Sequence, residues 1–373
     1  MINKELRPDD LIRVAKRENN TKRAFLYVNP LQGKHIPVSP SDALAVFELL
    51  AERVNRKYPD ENLLVIGFSE TATAIGAALA VDCPRAIAFL TTTRENVGGT
   101  DYLYFSESHS HATEQKLAVR GLEYWLKAAD RVIFAEDEVT TGNTILKLIS
   151  SMREAFPEIS LKFGIASLLN SMTEEKQEAF AEQGIGLIYL SGIPFAYRTN
   201  EINRYHYEPL ETKPKQPRRI AVDNMQFSSG WNQRLSADTK QIREVCDRFA
   251  QTANTLAPES GKRVLVLGTE EFMYAGLRLG KALEEKGCTV RFHAATRSPI
   301  EVSLDAKYPL HKRYPLVSFY DPERRTFIYD LAQYDKAVIV TDAAACFGLD
   351  TLIGALEDSG NNDVTLITWG AET

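Results

Sequence analysis

Residues 131–144 read R-V-I-F-A-E-D-E-V-T-T-G-N-T, an apolar run that passes into acids and then into a short Thr/Gly/Asn turn. The run predicts a strand over 131–135, and the apolar spacing beyond the turn predicts a helix over 144–155. Amide groups of a tight turn at a helix N-terminus cradle an anion, and the helix dipole adds partial positive charge there. Thr140, Thr141 and Thr144 supply hydroxyl donors around Gly142 and Asn143. Glu136 and Asp137 can accept hydrogen bonds from the two vicinal hydroxyls of a ribose. These residue types together suit the gripping of a sugar phosphate. An ordinary capped helix needs one Thr or Asp, not a carboxylate pair with three threonines.

Such side chains need a rigid frame. Short β-rich runs at 24–28, 63–68, 86–90, 131–135 and 161–166 alternate with helical spacing at 42–57, 71–80, 113–128 and 144–155. That alternation predicts an α/β fold with a mostly parallel sheet flanked by helices. The second half echoes the first. Segment 262–272 parallels 63–71, A-A-T-R-S-P parallels T-T-T-R-E-N, and D-K-A-V-I-V-T-D parallels D-R-V-I-F-A-E-D. Arg94 and Arg297 stand 203 positions apart, and Asp137 and Asp342 stand 205 apart. We read a duplication: a first domain over 1–200, a Pro/Lys-rich linker over 191–219, and a degenerate second copy over 220–373. Where the first copy has E-D-E-V-T-T-G-N-T the second has T-D-A-A-A-C-F-G-L-D-T, so the second should bind a ribose 5-phosphate poorly.

The bulk properties narrow the class. A length of 373 residues exceeds one typical core and fits two domains. A net charge of −6 argues against broad nucleic-acid or anionic-membrane binding. No signal-like or membrane-spanning apolar run is present, and a cytoplasmic location is expected. Cys83, Cys246, Cys288 and Cys346 are isolated, without the spacing of a zinc site or a disulfide framework. Neither a Walker A loop nor a G-x-G-x-x-G after a strand occurs, which removes P-loop ATPases and Rossmann dehydrogenases.

The acid-pair loop resembles the phosphoribosyl-pyrophosphate (PRPP) motif of type I phosphoribosyltransferases. With E-S-H-S-H-A-T-E at 107–114 and T-R-S-P at 296–299, the chain resembles a narrower group. These are two-domain phosphoribosyltransferase-like proteins with a C-terminal TRSP domain, associated with tellurium- and stress-resistance gene clusters. The resemblance implies a phosphoribosyltransferase that uses PRPP and Mg2+, releases pyrophosphate and forms a nucleotide-like product with a nucleobase-like acceptor. It places Glu136 and Asp137 at the ribose hydroxyls and the 140–144 turn at the 5-phosphate. It places Ser69, Glu70, Thr71, Ala72 and Thr73 in a pyrophosphate loop, and Arg94 against pyrophosphate. Mg2+ would be held mainly through PRPP, with Asp137 as the protein carboxylate able to join it. Type I relatives often dimerise, so the resemblance extends to a homodimer.

Residues 95–116 suit a hood that keeps water from the reaction, with Gly98 and Gly99 for flexibility and Tyr102, Tyr104 and Phe105 for cover. His109 and His111 in that hood could contact the leaving pyrophosphate or donate protons. In the second half, Arg297 and Ser298 suggest a further anion or acceptor site. The acidic loop Glu270–Glu271 with Arg297 would recognise the acceptor or a partner. The competing reading is a non-catalytic PRPP- or nucleotide-binding regulator, which a degenerate second copy also suits.

Overall fold

Leu63–Gly67 is buried at every position, and such a strand belongs inside a sheet covered on both faces. It lies between the parallel neighbours Ala86–Thr91 and Arg131–Val139, with Lys162–Asn170 and Gly186–Gly192 continuing outward from the latter. Helix Pro40–Lys57 begins with Ser39 accepting from the Asp42 amide and with proline in its first turn, and it ends on Arg56 and Lys57. Each of these choices favours a helix end. Thr73–Asp82 and Asn143–Ala155 are the crossover helices that matter for the site.

The computed structural model describes residues 6–20, 23–105, 115–208, 220–256 and 258–370. Its second half carries a five-stranded parallel sheet in the order Val222–Ser228, Val364–Gly370, Lys336–Thr341, Arg263–Gly268, Thr289–Ala294. The packing devices recur between the halves. A Cβ on Gly76 would stand 2.7 Å from the Gly67 Cα and 3.0 Å from the Phe89 ring. In the second half, Cβ atoms on Gly268 and Gly276 would stand 3.1 and 2.8 Å from the Phe292 ring. In both copies glycines let helix, strand and one phenylalanine approach closely.

The halves also exchange edges. Ala237–Asp238 pairs antiparallel with Ala88 and Phe89 at the edge of the first sheet. Val38 in turn bridges Phe292 at the edge of the second, through hydrogen bonds of 2.9 and 2.7 Å. Each half thus covers the other's open strand edge. One apolar core runs through both, from Leu64 and Phe89 to Phe272 and Trp369.

Two sequence expectations need correction. Of the helix expected over 113–128, only Leu122–Ala128 is helical, and residues 113–114 lie outside the described ones. Lys116–Ala118 is instead a buried strand, paired with Tyr102–Tyr104, and Gly121 at φ 75° resets the chain before the helix. The run 24–28 forms a strand at Phe25–Val28, but it pairs with Arg13–Lys16 in a separate ribbon and not in the main sheet. Among the described residues, no helix is long and apolar enough to cross a membrane.

Two histidines lie buried where the halves meet. His35 and His293 are 2% and 0% exposed, and burial drives both pKa values down to about 3. The folded state therefore resists their protonation. Their contribution is complete above the unfolded pKa near 6.5 and is lost as pH falls below it. Between pH 7 and pH 5 the wild type should lose about 2 kcal/mol more stability than His293→Leu. Urea unfolding at the two pH values measures this, and parallel losses in both proteins would refute it.

Candidate functional site

The strand Arg131–Val139 runs four residues past its predicted end, so all three acids sit on its C-terminal extension. Their fates differ. Glu138 is held by Arg23 Nη2 at 2.8 and 3.1 Å and accepts from Ser171 Oγ at 2.9 Å, which makes it part of the frame. Glu136 and Asp137 are half-buried and have no ion pair among the described residues. Burial, reinforced by Glu138, pushes the Asp137 pKa up to about 6. Burial and then the Asp137 charge raise Glu136 well above the usual carboxylate range. Two adjacent carboxyls in that state favour hydroxyl donors or a cation.

Gly142 is the N-cap of Asn143–Ala155 and adopts φ 68°. The turn leaves Asn143 and Thr144 exposed and Thr140 and Thr141 half-buried, and Thr141 Oγ1 accepts from the Asn143 amide at 3.3 Å. A Cβ on Gly142 would meet Phe180 Cζ at 2.4 Å and Met172 Cε at 2.6 Å. Gly142→Ala should therefore cost about 2 kcal/mol, from the left-handed backbone and from overpacking. A thermal unfolding midpoint equal to that of the wild type would refute this.

The loop after Leu63–Gly67 is largely tied down. The Ser69 amide donates to Thr92 Oγ1 at 2.9 Å and the Ala72 amide to the Phe68 carbonyl at 2.9 Å. Thr73 is buried and its hydroxyl donates to the Glu271 carbonyl at 2.7 Å. Thr71 remains half-buried, and it is a polar neighbour that acts against burial in lowering the Asp137 pKa. Beside this loop lies a cavity of about 510 Å3 lined by Arg17, Glu70, Thr71, Arg94, Arg297 and Ser298. Thr71 is thus a wall shared by the cavity and the acid pair. Arg17, absent from the sequence reading, reaches the cavity from a ribbon whose following residues pair with the TRSP segment. The Glu18 amide donates to the Pro299 carbonyl at 3.0 Å, and the Glu301 amide to the Lys16 carbonyl at 2.9 Å.

Arg94 and Arg297 are joined by a reciprocal exchange of glutamates. Glu271 accepts from Thr93 Oγ1 at 2.7 Å and from the Arg94 amide at 3.1 Å. Glu70 accepts from the Arg297 amide at 3.3 Å, and Thr296 beside it helps to lower its pKa. Each loop glutamate so caps the Thr-Arg of the opposite half. Burial would raise the Glu70 pKa, but Lys34 and then Arg297 outweigh it and hold it at about 2. The Arg297 guanidinium also reaches Glu95 at 2.6 Å, Glu270 at 2.9 Å and Glu271 at 3.2 Å, while its Nη1 has no hydrogen-bond partner among the described residues. Glu95 pairs with Arg297 and Arg324, not with its neighbour Arg94.

This arrangement corrects the reading of the second acidic loop. Glu270 and Glu271 are both 0% exposed and bond the protein itself, so they do not face an acceptor. Ser298 lines the cavity, with its carbonyl accepting from Tyr329 Oη at 2.7 Å. Asp342, the counterpart of Asp137, is closed off by Arg234 and by Tyr320 Oη at 2.5 Å. Lys34, Arg234 and Arg324 were also missed, and Glu95 was read only as the first residue of the hood. The repeat held one signal for that region. Gln32 and Gln233 are 201 positions apart, as are Gly67 and Gly268, and donate to the Thr71 and Glu271 carbonyls at 2.5 and 3.1 Å.

Of the expected hood, the hairpin Tyr102–Tyr104/Lys116–Ala118 stands beside the loop and the crossover helix. Gln115 Nε2 donates to the Ser69 carbonyl at 3.1 Å, Phe105 packs edge-on against Phe68, and Ser151 Oγ donates to the Tyr104 carbonyl at 3.3 Å. His109 and His111 lie outside the described residues. Among those residues no cluster of His, Cys, Asp or Glu is arranged as a metal cage.

Two family models match the chain in succession: phosphoribosyl transferase (PRTase_2) over residues 11–187, and the TRSP domain C-terminal to PRTase_2 over 230–356. No curated protein matches it. Among solved structures, the chain is similar to APRTase from Giardia lamblia complexed with 9-deazaadenine at 16% identity, over 49% of this chain and 94% of that one, with a TM-score of 0.35. It is similar to adenine phosphoribosyltransferase from Rhodothermus marinus at 15% identity, over 50% and 96%, with a TM-score of 0.32. For orotate phosphoribosyltransferase from Aeropyrum pernix the values are 15%, 50%, 90% and 0.31.

Proposed function

We propose that this chain, which belongs to the phosphoribosyl transferase family with a C-terminal TRSP domain, moves the 5-phosphoribosyl group of PRPP to a nucleobase-like acceptor and releases pyrophosphate. The observation that carries this reading is the wall shared through Thr71. On one side stand two carboxyls with no ion pair among the described residues, and on the other a cavity bordered by Arg17, Arg94 and Arg297. A molecule with vicinal hydroxyls and a multiply charged anion on adjacent carbons matches that pairing.

In this reading Glu136 and Asp137 accept from the ribose hydroxyls and stabilise positive charge as the C1 bond to pyrophosphate lengthens. The Thr140–Thr144 turn receives the 5-phosphate through its amides and hydroxyls. Arg17 and Arg94, with the Glu70 and Thr71 amides, receive pyrophosphate through bidentate contacts that only guanidinium provides, and Arg297 adds the donors of its Nη1. Residues 102–105 and 115–118 restrict water. The chain contributes positioning and preorganised charge, and no nucleophile is required. The site's chemistry fits Mg2+ brought in on PRPP, because Asp137 is a half-buried carboxylate with no ion pair among the described residues. When bound, the ion neutralises charge on the departing pyrophosphate.

Calorimetric titration of PRPP with Mg2+ into wild type and Asp137→Asn tests the proposal. Asp137 must be ionised to accept both a hydroxyl and the ion. With a pKa near 6, PRPP affinity should therefore fall about tenfold from pH 7 to pH 5. The Asn variant should bind about tenfold more weakly at pH 7 and show a flatter profile. Equal affinity and an equal pH profile in the two proteins would sink the assignment.

A further inference from the structure

A second cavity, of about 870 Å3, opens at the C-terminal end of the second-half sheet. Its floor is built where Lys336–Thr341 and Val364–Gly370 end, at Asp342, Ala343 and Thr368, and its opposite wall is Asn96–Gly99 of the first half. It occupies, in the second copy, the place that the acid pair occupies in the first. Its volume lies within the range of small-molecule sites.

Charge excludes a phosphorylated ligand here. Both oxygens of Asp342 are engaged, one by Arg234 and one by Tyr320. Arg120 is the lining cation without an ion pair among the described residues, and it is exposed at the rim, where a single charge contributes little. The loop that would form an anion nest has several of its amides engaged within the protein. The Ala343, Phe347 and Leu349 amides donate to Thr341 Oγ1, the Phe319 carbonyl and the Cys346 carbonyl. The lining instead brings together three carboxamides, Asn96, Gln226 and Asn232, with apolar Val97 and Leu235. Asn96 and Asn232 use their oxygens internally, toward Lys116 and the Arg234 amide, and their N–H donors have no protein partner among the described residues. Gly98, Gly99, Ala343 and Ala344 add little bulk, so a flat ring can approach the backbone.

We propose that this cavity is a second binding site, which takes an uncharged planar heterocycle of the nucleobase class through carboxamide hydrogen bonds. It stands on the second-half cavity alone and does not depend on the transferase reading. The test is calorimetric titration of adenine, hypoxanthine, cytosine and uracil, each without PRPP, into the full chain. AMP and inorganic phosphate serve as charged comparison probes. Ala344 is an exposed loop residue, so Ala344→Trp fills the cavity without entering the core. At least one base should bind at one site per chain and lose about tenfold in affinity in Ala344→Trp, with no change in Asp137→Asn. Gln226→Ala, at an exposed strand position, should weaken it about fivefold, the worth of one hydrogen bond. The proposal fails if no base binds. It also fails if binding survives Ala344→Trp but not Asp137→Asn, which would put the base in the first-half pocket. Tighter binding of AMP or phosphate that Ala344→Trp abolishes would overturn the assigned ligand class.

Discussion

Arg297→Ala should destabilise the folded protein by about 3–5 kcal/mol, the cost of removing one partner from a buried ionic cluster. The guanidinium lies against Glu70, Glu95, Glu270 and Glu271, within 2.6 to 3.5 Å. Burial alone would lower the arginine's pKa, but the glutamates outweigh it, led by Glu271, so the group stays charged. Without it, Glu270 keeps Arg324 and Glu271 keeps Arg234, but four closely spaced carboxylates lose the cation they share. Arg297→Lys should recover only part of the loss, because an ammonium cannot fork between four carboxylates. The unpaired glutamates would bind protons more readily in the folded variant than when unfolded. The deficit should therefore shrink as pH falls from 7 toward 5. Urea unfolding of the three proteins across that range decides the matter. A deficit below about 1 kcal/mol at pH 7 would mean that the cluster is only a surface-type ion pair.

Under the proposed function, Arg94→Ala should lower the rate of pyrophosphate release by about 10²–10³-fold, as the loss of one preorganised charge contact does. Arg94 follows the strand end at Thr91, and its amide is anchored on Glu271, so its position is set by the opposite half. Burial, and then the nearby Arg297 charge, act against its own charge, and an arriving polyanion relieves both. Charge on pyrophosphate grows as the C1 bond breaks, so kcat should fall more than PRPP affinity. Arg94→Lys restores the charge without the fork and should recover part of the rate. Measurement of pyrophosphate release with an acceptor identified by screening provides the test. A variant within about threefold of wild type would remove Arg94 from the reaction.

Much of the fold was legible because its signals are local. Strand runs such as 63–67 are apolar at every position, the glycine turn at 142 precedes the helical spacing of 144–155, and the duplication appears as near-constant spacing. The errors arose where tertiary context outweighed local pattern. Lys116–Ala118 lies in a span that reads as helix, but it is paired as a strand with Tyr102–Tyr104. The 131–135 run continues to Val139 because Lys162–Asn170 supplies partners along its whole length.

The sequence by itself determined the α/β units, the acid pair at a strand end before a glycine turn, and the existence of two related halves. Only the tertiary structure decided what each charge is for. Glu138 and Glu136 are neighbours of one type, yet one is bound by Arg23 and the other has no cation among the described residues. Glu70 and Glu271 look like misfits in an anion loop until each is seen to cap the opposite half. The physical reason is range. Hydrophobic period and capping act over a few residues along the chain, whereas ion pairs such as Glu70–Arg297 join residues more than two hundred positions apart, and only docking of the two halves makes them neighbours.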